Sequence, residues 1–570
     1  MYRPVLDAVG GSLFLTAILA MLPLLTLFVL LGALRMAAWK AALISLAVSL
    51  LVAIFAYGMP AGQALLAGAE GAAFGFFPIL WIVINGIWIY NMTVVTEHSD
   101  VLRRSFAKIS DDQRIQAIIV AFCFGALLEA LAGFGTPVAI TSVMLIGLGF
   151  KPIKAAVVAL LANTAPVAFG SLAVPITTLA TVTGLPEHNL AQIVGRQTPL
   201  LAIFVPMALV FVIDSWKGVR ETLPATLTCG ITFAVAQFVS SNFISTQLTD
   251  IIASLAAGAS VVLVLRVWHP AHHYVEAPEA ATAGSPVGTP ALAGAQVGGS
   301  GSGSAGSSSG PAADLAARDR GHHDTTNDVL RAYAPYLIII TVFSLAALVT
   351  PLKDFLAERT VAFQWPGLDL LTAKGKPSAL PTFKFNWLAS AGTLLVISGL
   401  LSVPFTKISP TKAFKAYLGT YNQLKFAIVT VMAVLGLAYV MNSSGQTATL
   451  GIWMAGIGSA FAILSPILGW LGVAVTGSDT SSNSLFGALQ VSAATKVGLS
   501  PTLMAAANSS GGVLGKMISP QNLAIAAAAV GMSGKEGDIF RKVIGWSLGL
   551  LLVMCVLVFL QSNVLAWMLP

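Results

Sequence analysis

Long apolar runs recur along almost the whole chain and decide what it can fold into. Hydrophobic residues make up 56% of the 570-residue chain and charged residues only 9%, whereas an average soluble domain has about 25% charged residues. Runs that could cross a membrane lie near residues 12–34, 41–58, 71–95, 198–213, 225–243, 251–267, 333–351, 388–404, 426–442 and 543–569. Each is close to the ~20 residues that a helix needs to span a bilayer. The sequence therefore predicts an all-α polytopic membrane protein and excludes a soluble enzyme, a disordered scaffold and a secreted disulfide domain.

Two apolar stretches are too long for a single span. Residues 115–150 carry one charge, Glu129, and as one helix they would be about 54 Å long at 1.5 Å per residue. Residues 463–495 follow the same plan with one charge, Asp479. We expect both to be re-entrant hairpins, which enter the membrane and return to the same side. Their tips are expected at Gly133–Pro137 and Gly477–Asn483.

Two further stretches, 155–186 and 501–530, are predicted to be broken helices. Their interruptions are Asn163-Thr164-Ala165-Pro166 and Asn508-Ser509-Ser510-Gly511. With the hairpins they form an internal repeat, in which Gly133 and Thr136 match Gly477 and Thr480 at an offset of 344 residues, and Ala162-Asn163-Thr164, Gly170 and Pro175 match Ala507-Asn508-Ser509, Gly515 and Pro520 at an offset of 345. The alternative is an old duplication that has kept no site.

The distribution of basic residues predicts how the two repeats are oriented. With the N-terminus outside and each hairpin returning to its own side, 21 of the 30 Lys and Arg residues fall in cytoplasmic loops and 8 outside. Cytoplasmic loops of membrane proteins carry such an excess. The first hairpin then opens to the cytoplasm and the second to the outside, so the repeats are inverted. The weakest placement is 352–387, which is put outside although it holds five basic residues.

A Gly/Ser-rich segment divides the chain into two halves. Residues 270–329 are rich in Gly, Ser, Ala and Pro, and such a composition cannot bury enough apolar surface to order. We expect a disordered cytoplasmic linker between a first membrane half, 1–269, and a second one, 330–570. The histidines that flank the linker favour a solvated tether over a metal site. No metal and no cofactor are predicted.

Small polar residues at the four breaks are the candidate binding residues. Irregular backbone at membrane depth leaves N–H and C=O groups unpaired, and it is tolerated where it lines a polar cavity. Secondary transporters place such breaks around a site near the middle of the membrane. The candidate substrate-binding residues are Gly133, Phe134, Gly135, Thr136, Asn163, Thr164, Gly477, Ser478, Thr480, Ser481, Asn508, Ser509 and Lys516. Close packing of helices through small residues is the alternative.

Three ionisable residues, Glu129, Asp479 and Lys516, lie well inside apolar runs. A charge at the centre of a bilayer costs at least ~2.5–3.5 kcal/mol, so such a residue suggests function. With all three ionised their sum is −1, and protonation of one carboxylate makes it neutral. The hypothesis is proton-coupled uptake of a monocarboxylate, with Glu129 or Asp479 as the proton site and Lys516 as the partner of the anion. The alternative is a buried ion pair that only joins two helices.

Four motifs resemble signature stretches of the bacterial L-lactate permease family. They are Phe124-Gly125-Ala126-Leu127-Leu128-Glu129-Ala130-Leu131-Ala132-Gly133-Phe134-Gly135, Asn163-Thr164-Ala165-Pro166-Val167-Ala168-Phe169-Gly170, Gly477-Ser478-Asp479-Thr480-Ser481-Ser482-Asn483 and the run from Asn508 to Gln521. The resemblance implies a multi-pass symporter of the bacterial inner membrane that takes up L-lactate, D-lactate and glycolate with protons. It also implies similarity to the ion-transporter superfamily, whose paired hairpins move in an elevator-like fashion, and it leaves a homodimer open.

Two other functions compete with this interpretation. Ser, Thr and Asn oxygens at the hairpin tips could hold Na⁺, which would make the protein a sodium-coupled carboxylate carrier. A membrane sensor or channel belongs to a different class. A sensor would need a folded output domain, and a channel would not accumulate its substrate. The partners expected are a small monocarboxylate, protons and the lipid bilayer, and no nucleic acid.

Overall fold

The computed structural model describes residues 1–34, 36–107, 109–131, 133, 135–276, 324–372, 375, 377–378, 380–532 and 534–570. Most of the predicted linker, residues 277–323, lies outside this part of the chain, and so does the candidate binding residue Phe134.

The first half of the chain is helical. Its helices are α1 (Leu13–Phe28), α2 (Ala38–Leu51), α3 (Ala61–Phe74), α4 (Trp81–Val95), α5 (His98–Ala107), α6 (Gln113–Ala117), α7 (Gly125–Leu131), α8 (Thr136–Gly147), α9 (Pro152–Ala162), α10 (Gly170–Thr183), α11 (Glu187–Ala202), α12 (Val205–Val239) and α13 (Thr249–Val267). π-Helical segments extend or join several of them, including Ile118–Phe124 between α6 and α7. The segment Gly75–Leu80 between α3 and α4 is kinked, because Phe77 is extended, with φ −129° and ψ 122°.

The second half adds a small β-hairpin to its helices. Its elements are α14 (Thr326–Leu348), α15 (Thr350–Glu358), β1 (Val361–Gln364), β2 (Thr382–Phe385), α16 (Ala391–Thr406), α17 (Pro410–Ser444), α18 (Gln446–Met454), α19 (Phe461–Thr476), α20 (Asp479–Val497), α21 (Pro501–Gly515), α22 (Pro520–Ala529) and α23 (Glu536–Gln561). β1 and β2 pair antiparallel, with Val361 opposite Phe385. This hairpin was not predicted, because two four-residue strands leave little periodicity in the sequence.

The expected class, a helical multi-pass membrane protein, is confirmed. Within the described residues, ten helical runs are long and apolar enough to cross a membrane. The helices Pro152–Ala162 and Val167–Thr183 are long and apolar enough only together, and they are bent by 64° relative to each other. The bend coincides with the interruption at Asn163–Pro166, where α9 ends and a short 3₁₀ turn follows.

The predicted interruption of the second broken helix at Asn508–Gly511 is wrong. α21 runs through these four residues without a break and ends at Gly515. The chain leaves the helix at Lys516–Ile518 instead, and Ser519 is extended, with φ −65° and ψ 138°. Proline explains the position, because Pro520 disfavours the helical conformation for the residue before it and begins the next helix well.

The two repeats interlock at the centre of the molecule. α10 of the first repeat packs against α20 of the second, and α22 of the second packs against α8 of the first. α17 packs along α2 and α3 and also contacts α20. Elements that are about 300 or more residues apart in sequence therefore pack against each other.

The N-terminus and the segment 352–387 lie on the same side of the molecule. Tyr2 forms a parallel β-bridge with Leu370, and the backbone N–H of Tyr2 donates to the carbonyl of Asp369. The predicted topology places both segments outside.

Candidate functional site

A cavity of about 450 Å³ lies where the two repeats meet. We call it the binding cavity. It is lined by Ala37, Ala38, Trp39, Glu129, Val167, Gly170, Ser171, Pro175, Phe426, Ala427, Thr430, Val431, Thr476, Gly477, Ser478, Asp479, Thr480, Ser481, Lys516 and Gln521. Its charged lining residues, among those the structure describes, are the three ionisable groups singled out in the sequence.

Glu129 and Lys516 form a buried ion pair on the wall of the binding cavity. Lys516 Nζ lies 2.5 Å from Glu129 Oε1, and the side chains are only 7% and 3% exposed, respectively. The other carboxylate oxygen, Oε2, accepts a hydrogen bond of 2.9 Å from Asn163 Nδ2. Both oxygens of Glu129 are therefore engaged, one by a residue at each helix break.

Gly170 makes room for this carboxylate. A Cβ atom at Gly170 would lie 2.8 Å from Glu129 Oε1, which is closer than carbon and oxygen atoms approach without a bond. The position therefore requires glycine as long as Glu129 keeps its place against Lys516.

Asp479 is the second buried carboxyl group of the cavity. Its Oδ2 accepts hydrogen bonds from Ser509 Oγ at 2.6 Å and from Asn483 Nδ2 at 3.4 Å. Its Oδ1 is buried and has no partner among the described residues. One oxygen of this carboxyl group is thus held by α20 and α21, and the other is unsatisfied.

The start of α20 faces the binding cavity. Gly477 has a left-handed φ of 77°, which glycine adopts without strain. Ser478 then caps the helix, because its side chain accepts the backbone N–H of Ser481. Thr480 and Ser481, in the first turn, also line the cavity. The unpaired N–H groups and the positive end of the helix dipole favour an anion at this position.

The candidate residues that line the binding cavity or bond to its carboxyl groups form two groups. Those that line the binding cavity are Glu129, Gly477, Ser478, Asp479, Thr480, Ser481 and Lys516. Asn163 and Ser509 do not line it but donate hydrogen bonds to its two carboxyl groups. They position the charged groups rather than meet a ligand.

The remaining candidates make other contacts. Asn508 donates to Asn483 Oδ1 at 2.9 Å and accepts from Gln490 Nε2 at 3.0 Å, so it joins α21 to α20. Thr164 donates to the carbonyl of Leu161. Between α7 and α8, Gly133 lies against Ser171, and Gly135 lies against Asn522 and Ile525. Thr136 begins α8 and is not among the lining residues.

Several lining residues were not singled out in the sequence. Ser171 lies in the left-handed run Ser171–Ala173, with φ values of 46°, 57° and 59°. Such a run costs roughly 1–2 kcal/mol per residue, and its sequence carries no glycine to reveal it. Trp39 and Thr430 come from α2 and α17, which lie outside both repeats. Gln521 directly follows the matched Pro520 and could have been included on that ground.

Arg196, within α11, ties this helix to the turn after α12 and to the C-terminal segment. Its Nε donates to Asn242 Oδ1 at 2.9 Å, and its NH1 donates to the carbonyl of Met568 at 2.6 Å.

Comparisons with known proteins agree with the resemblance noted in the motifs. The family model described as L-lactate permease matches residues 16–565. The L-lactate permease of Bacillus subtilis is 40% identical, with 99% of this chain and 98% of that protein covered. The glycolate permease GlcA of Escherichia coli is also 40% identical, with 100% and 99% covered. Among solved structures, MtrF of Neisseria gonorrhoeae aligns over 87% of this chain and 82% of its own, with a TM-score of 0.46 and 12% identity. On the sequence matches, the chain belongs to the L-lactate permease family.

Proposed function

We propose that the protein imports L-lactate, and also D-lactate and glycolate, together with a proton. The observation that carries this proposal is the charge arrangement of the binding cavity, which two buried carboxyl groups and one lysine line together and in which the lysine pairs with Glu129. The relatives named L-lactate permease and glycolate permease support a 2-hydroxy monocarboxylate as the substrate class.

Charge balance links the proton to the anion. With Glu129, Asp479 and Lys516 all ionised, the cavity carries −1 and repels a carboxylate, strongly so in a low-dielectric site. Protonation of Glu129 removes its attraction for Lys516, and the ammonium group then pairs with the incoming carboxylate. Asn163 keeps the neutral carboxyl group in place, because its amide can bond to either protonation state. The proton and the anion are thus bound together and released together.

Glu129 is our choice for the coupling group over Asp479. Glu129 competes directly with a substrate anion for Lys516, whereas Asp479 is bound by neutral donors. The substrate carboxylate would lie between Lys516 and the start of α20, and its 2-hydroxyl group would meet the Ser and Thr hydroxyls of that first turn.

The moving part of the carrier would be the interlocked pair of repeats. In this proposal the hairpins 115–150 and 463–495 and the broken helices 155–186 and 501–530 carry the binding cavity past α2, α3 and α17 in an elevator-like motion. The halves 1–269 and 330–570 each supply one repeat, and residues 270–329 tether them on the cytoplasmic side. We place the protein in the bacterial inner membrane with its N-terminus outside, and a homodimer would hold the static helices in place.

Transport by purified protein in proteoliposomes tests the proposal. Labelled lactate should accumulate when a pH gradient, acidic on the uptake side, is imposed, and unlabelled glycolate should compete with it. Accumulation driven by a Na⁺ gradient at equal pH would reject proton coupling in favour of a sodium-coupled carrier. Equilibration without accumulation under either gradient would indicate a channel.

A further inference from the structure

A second cavity lies further along the same two helices that flank the binding cavity. We call it the distal cavity. It has a volume of about 740 Å³, and its lining includes Glu70, Thr181, Lys384, Tyr439 and Ser443. The function proposed above assigns no role to any of these residues.

The two cavities are successive compartments along one interface. On α17, residues 426, 427, 430 and 431 line the binding cavity, whereas residues 439, 442 and 443 line the distal cavity. Eight residues from 431 to 439 correspond to about 12 Å along a helix. α10 repeats this order, with Gly170 and Pro175 at the binding cavity and Ala180–Gly184 at the distal one. Leu435, 1% exposed, occupies α17 between the two groups.

The outer part of the distal cavity belongs to the face of the molecule that holds the segment 352–387. Thr360, Ser378 and Lys384 of that segment line it. A neighbouring cavity of about 260 Å³ shares Pro78, Thr177, Glu187 and Asn386 with it and adds Lys353. Lys353 and Lys384 are both exposed, so an approaching anion meets positive charge at this face.

Glu70 lies at the inner part of the distal cavity. The residue is 1% exposed, and its buried Oε2 has no hydrogen-bond partner among the described residues. α3, which carries it, packs against α17 so closely that a Cβ at Gly71 would meet the backbone of Leu435. A carboxylate buried in this way, with no cation beside it, is strongly disfavoured unless it takes up a proton.

Among the described residues that line the distal cavity with Glu70, the one cation is Lys384, which is exposed. Tyr439 on α17 lines the same cavity and is neutral. The buried side chains of α2 are Ala41, Ala42, Ser45 and Ser49, none of which is charged. Glu187 and Lys384 line the far side, where Glu187 accepts a hydrogen bond from Gln247. Asp369, in the loop that packs on α3, is exposed.

We propose that Glu70 is a second proton-binding group of this carrier. In this proposal it lies on the route by which the monocarboxylate passes between the binding cavity and the face of the molecule that holds the segment 352–387. The inference rests on the proposed proton-coupled function and extends it. Ionised Glu70 repels a carboxylate anion in the distal cavity, and protonated Glu70 is neutral and can donate a hydrogen bond to it. Glu70 takes its proton from the water of the distal cavity and returns it there. It therefore sets the pH dependence of uptake without changing the number of protons carried per anion.

The pH dependence of KM tests the role of Glu70. If both Glu70 and the coupling carboxyl group must be protonated before the anion is accepted, log KM for lactate rises with a limiting slope of about two per pH unit. We expect Glu70→Gln to reduce the slope to about one and to retain pH-driven accumulation. Glu70→Asp and the exposed control Glu358→Gln should both keep the wild-type slope. An unchanged slope in Glu70→Gln would overturn the inference, whereas absence of proton-driven accumulation in the wild type would overturn the proposed function itself.

Labelling of cysteines tests the route without changing Glu70. A membrane-impermeant thiol reagent should react with Thr181→Cys from one face of the vesicle and with Thr430→Cys from the other, because in this proposal the distal cavity and the binding cavity, which these residues line, open to opposite faces. The three native cysteines are buried and serve as unlabelled controls. Labelling of both variants from the same face only would contradict a route that joins the two cavities to opposite faces.

Discussion

Lys516 Nζ lies 2.5 Å from Oε1 of Glu129, although 387 residues separate the two in the sequence. The pair joins the end of α21 in the second repeat to α7 in the first. A proton can neutralise Glu129, and Lys516 attracts a carboxylate. Proton binding and anion binding can therefore influence each other at this contact.

Replacement of Glu129 by Gln should separate exchange from accumulation. The amide keeps the shape of the side chain and its bond with Asn163, but it cannot gain or lose a proton. We expect Glu129→Gln to exchange labelled for unlabelled lactate in counterflow and to lose accumulation driven by a pH gradient. The matched variant Asp479→Asn should still accumulate lactate. The reverse result in the two variants would move the coupling role to Asp479.

Removal of Lys516 should destabilise the protein as well as stop transport. Lys516→Met leaves Glu129 buried without its cation, and breaking a buried pair in this way costs about 3–5 kcal/mol. The double variant Lys516→Met/Glu129→Gln should recover a large part of this stability, because the two effects are not additive, and it should still not bind lactate. Thermal unfolding in detergent checks the first expectation and ligand-induced stabilisation the second. A double variant no more stable than Lys516→Met would contradict the pairing.

The space at Gly170 should be essential for the position of Glu129. Gly170→Ala places a methyl group against the carboxylate, and overpacking of this kind costs about 1–3 kcal/mol. We expect KM for lactate to rise roughly tenfold, since 1.4 kcal/mol corresponds to that factor. The control is Gly549→Ala, because Gly549 lies within α23 with open space around it. Equal KM values in the two variants would show that Glu129 does not depend on the cleft at Gly170.

Arg114 should be a structural anchor rather than part of transport. It is 1% exposed and forms ion pairs with Asp112 at 2.8 Å, Asp214 at 2.9 Å and Glu221 at 2.7 Å. A lysine cannot reproduce the guanidinium fork, so Arg114→Lys should lower Tm clearly and leave KM unchanged. Arg541→Lys is the control, since Arg541 is 80% exposed in its pair with Asp538 and such surface pairs contribute about 0–1 kcal/mol. Equal Tm values in both variants would contradict the anchoring role.

The helical membrane class and the importance of the three buried charges follow from the sequence, because charge inside an apolar run is rare and stands out. The course of the second broken helix does not. Asn508 and Ser509 look like a helix interruption, yet their side chains bond to Asn483, Gln490 and Asp479 while the backbone stays helical. Polar residues in a membrane helix indicate a partner nearby, and only the fold tells whether that partner is backbone or side chain.

The wall of the binding cavity that α2 and α17 form could not be predicted from the sequence either. Trp39 and Thr430 lie in segments whose sequences carry no break, repeat or buried charge. They reach the cavity because α2 and α17 pack beside the interlocked repeats. Contacts between elements hundreds of residues apart have no local signal, so a single sequence predicts the charged side of this site better than its apolar side.

The most direct test of the account is the proton movement that accompanies lactate itself. A lactate gradient directed into weakly buffered proteoliposomes should make the external medium more alkaline with wild-type protein, since each anion carries a proton inward. With Glu129→Gln the same gradient should leave the external pH unchanged while counterflow of labelled lactate continues. Lactate uptake by the wild type with no change in external pH, or an equal change with Glu129→Gln, would contradict the coupling of proton and anion at the Glu129–Lys516 pair.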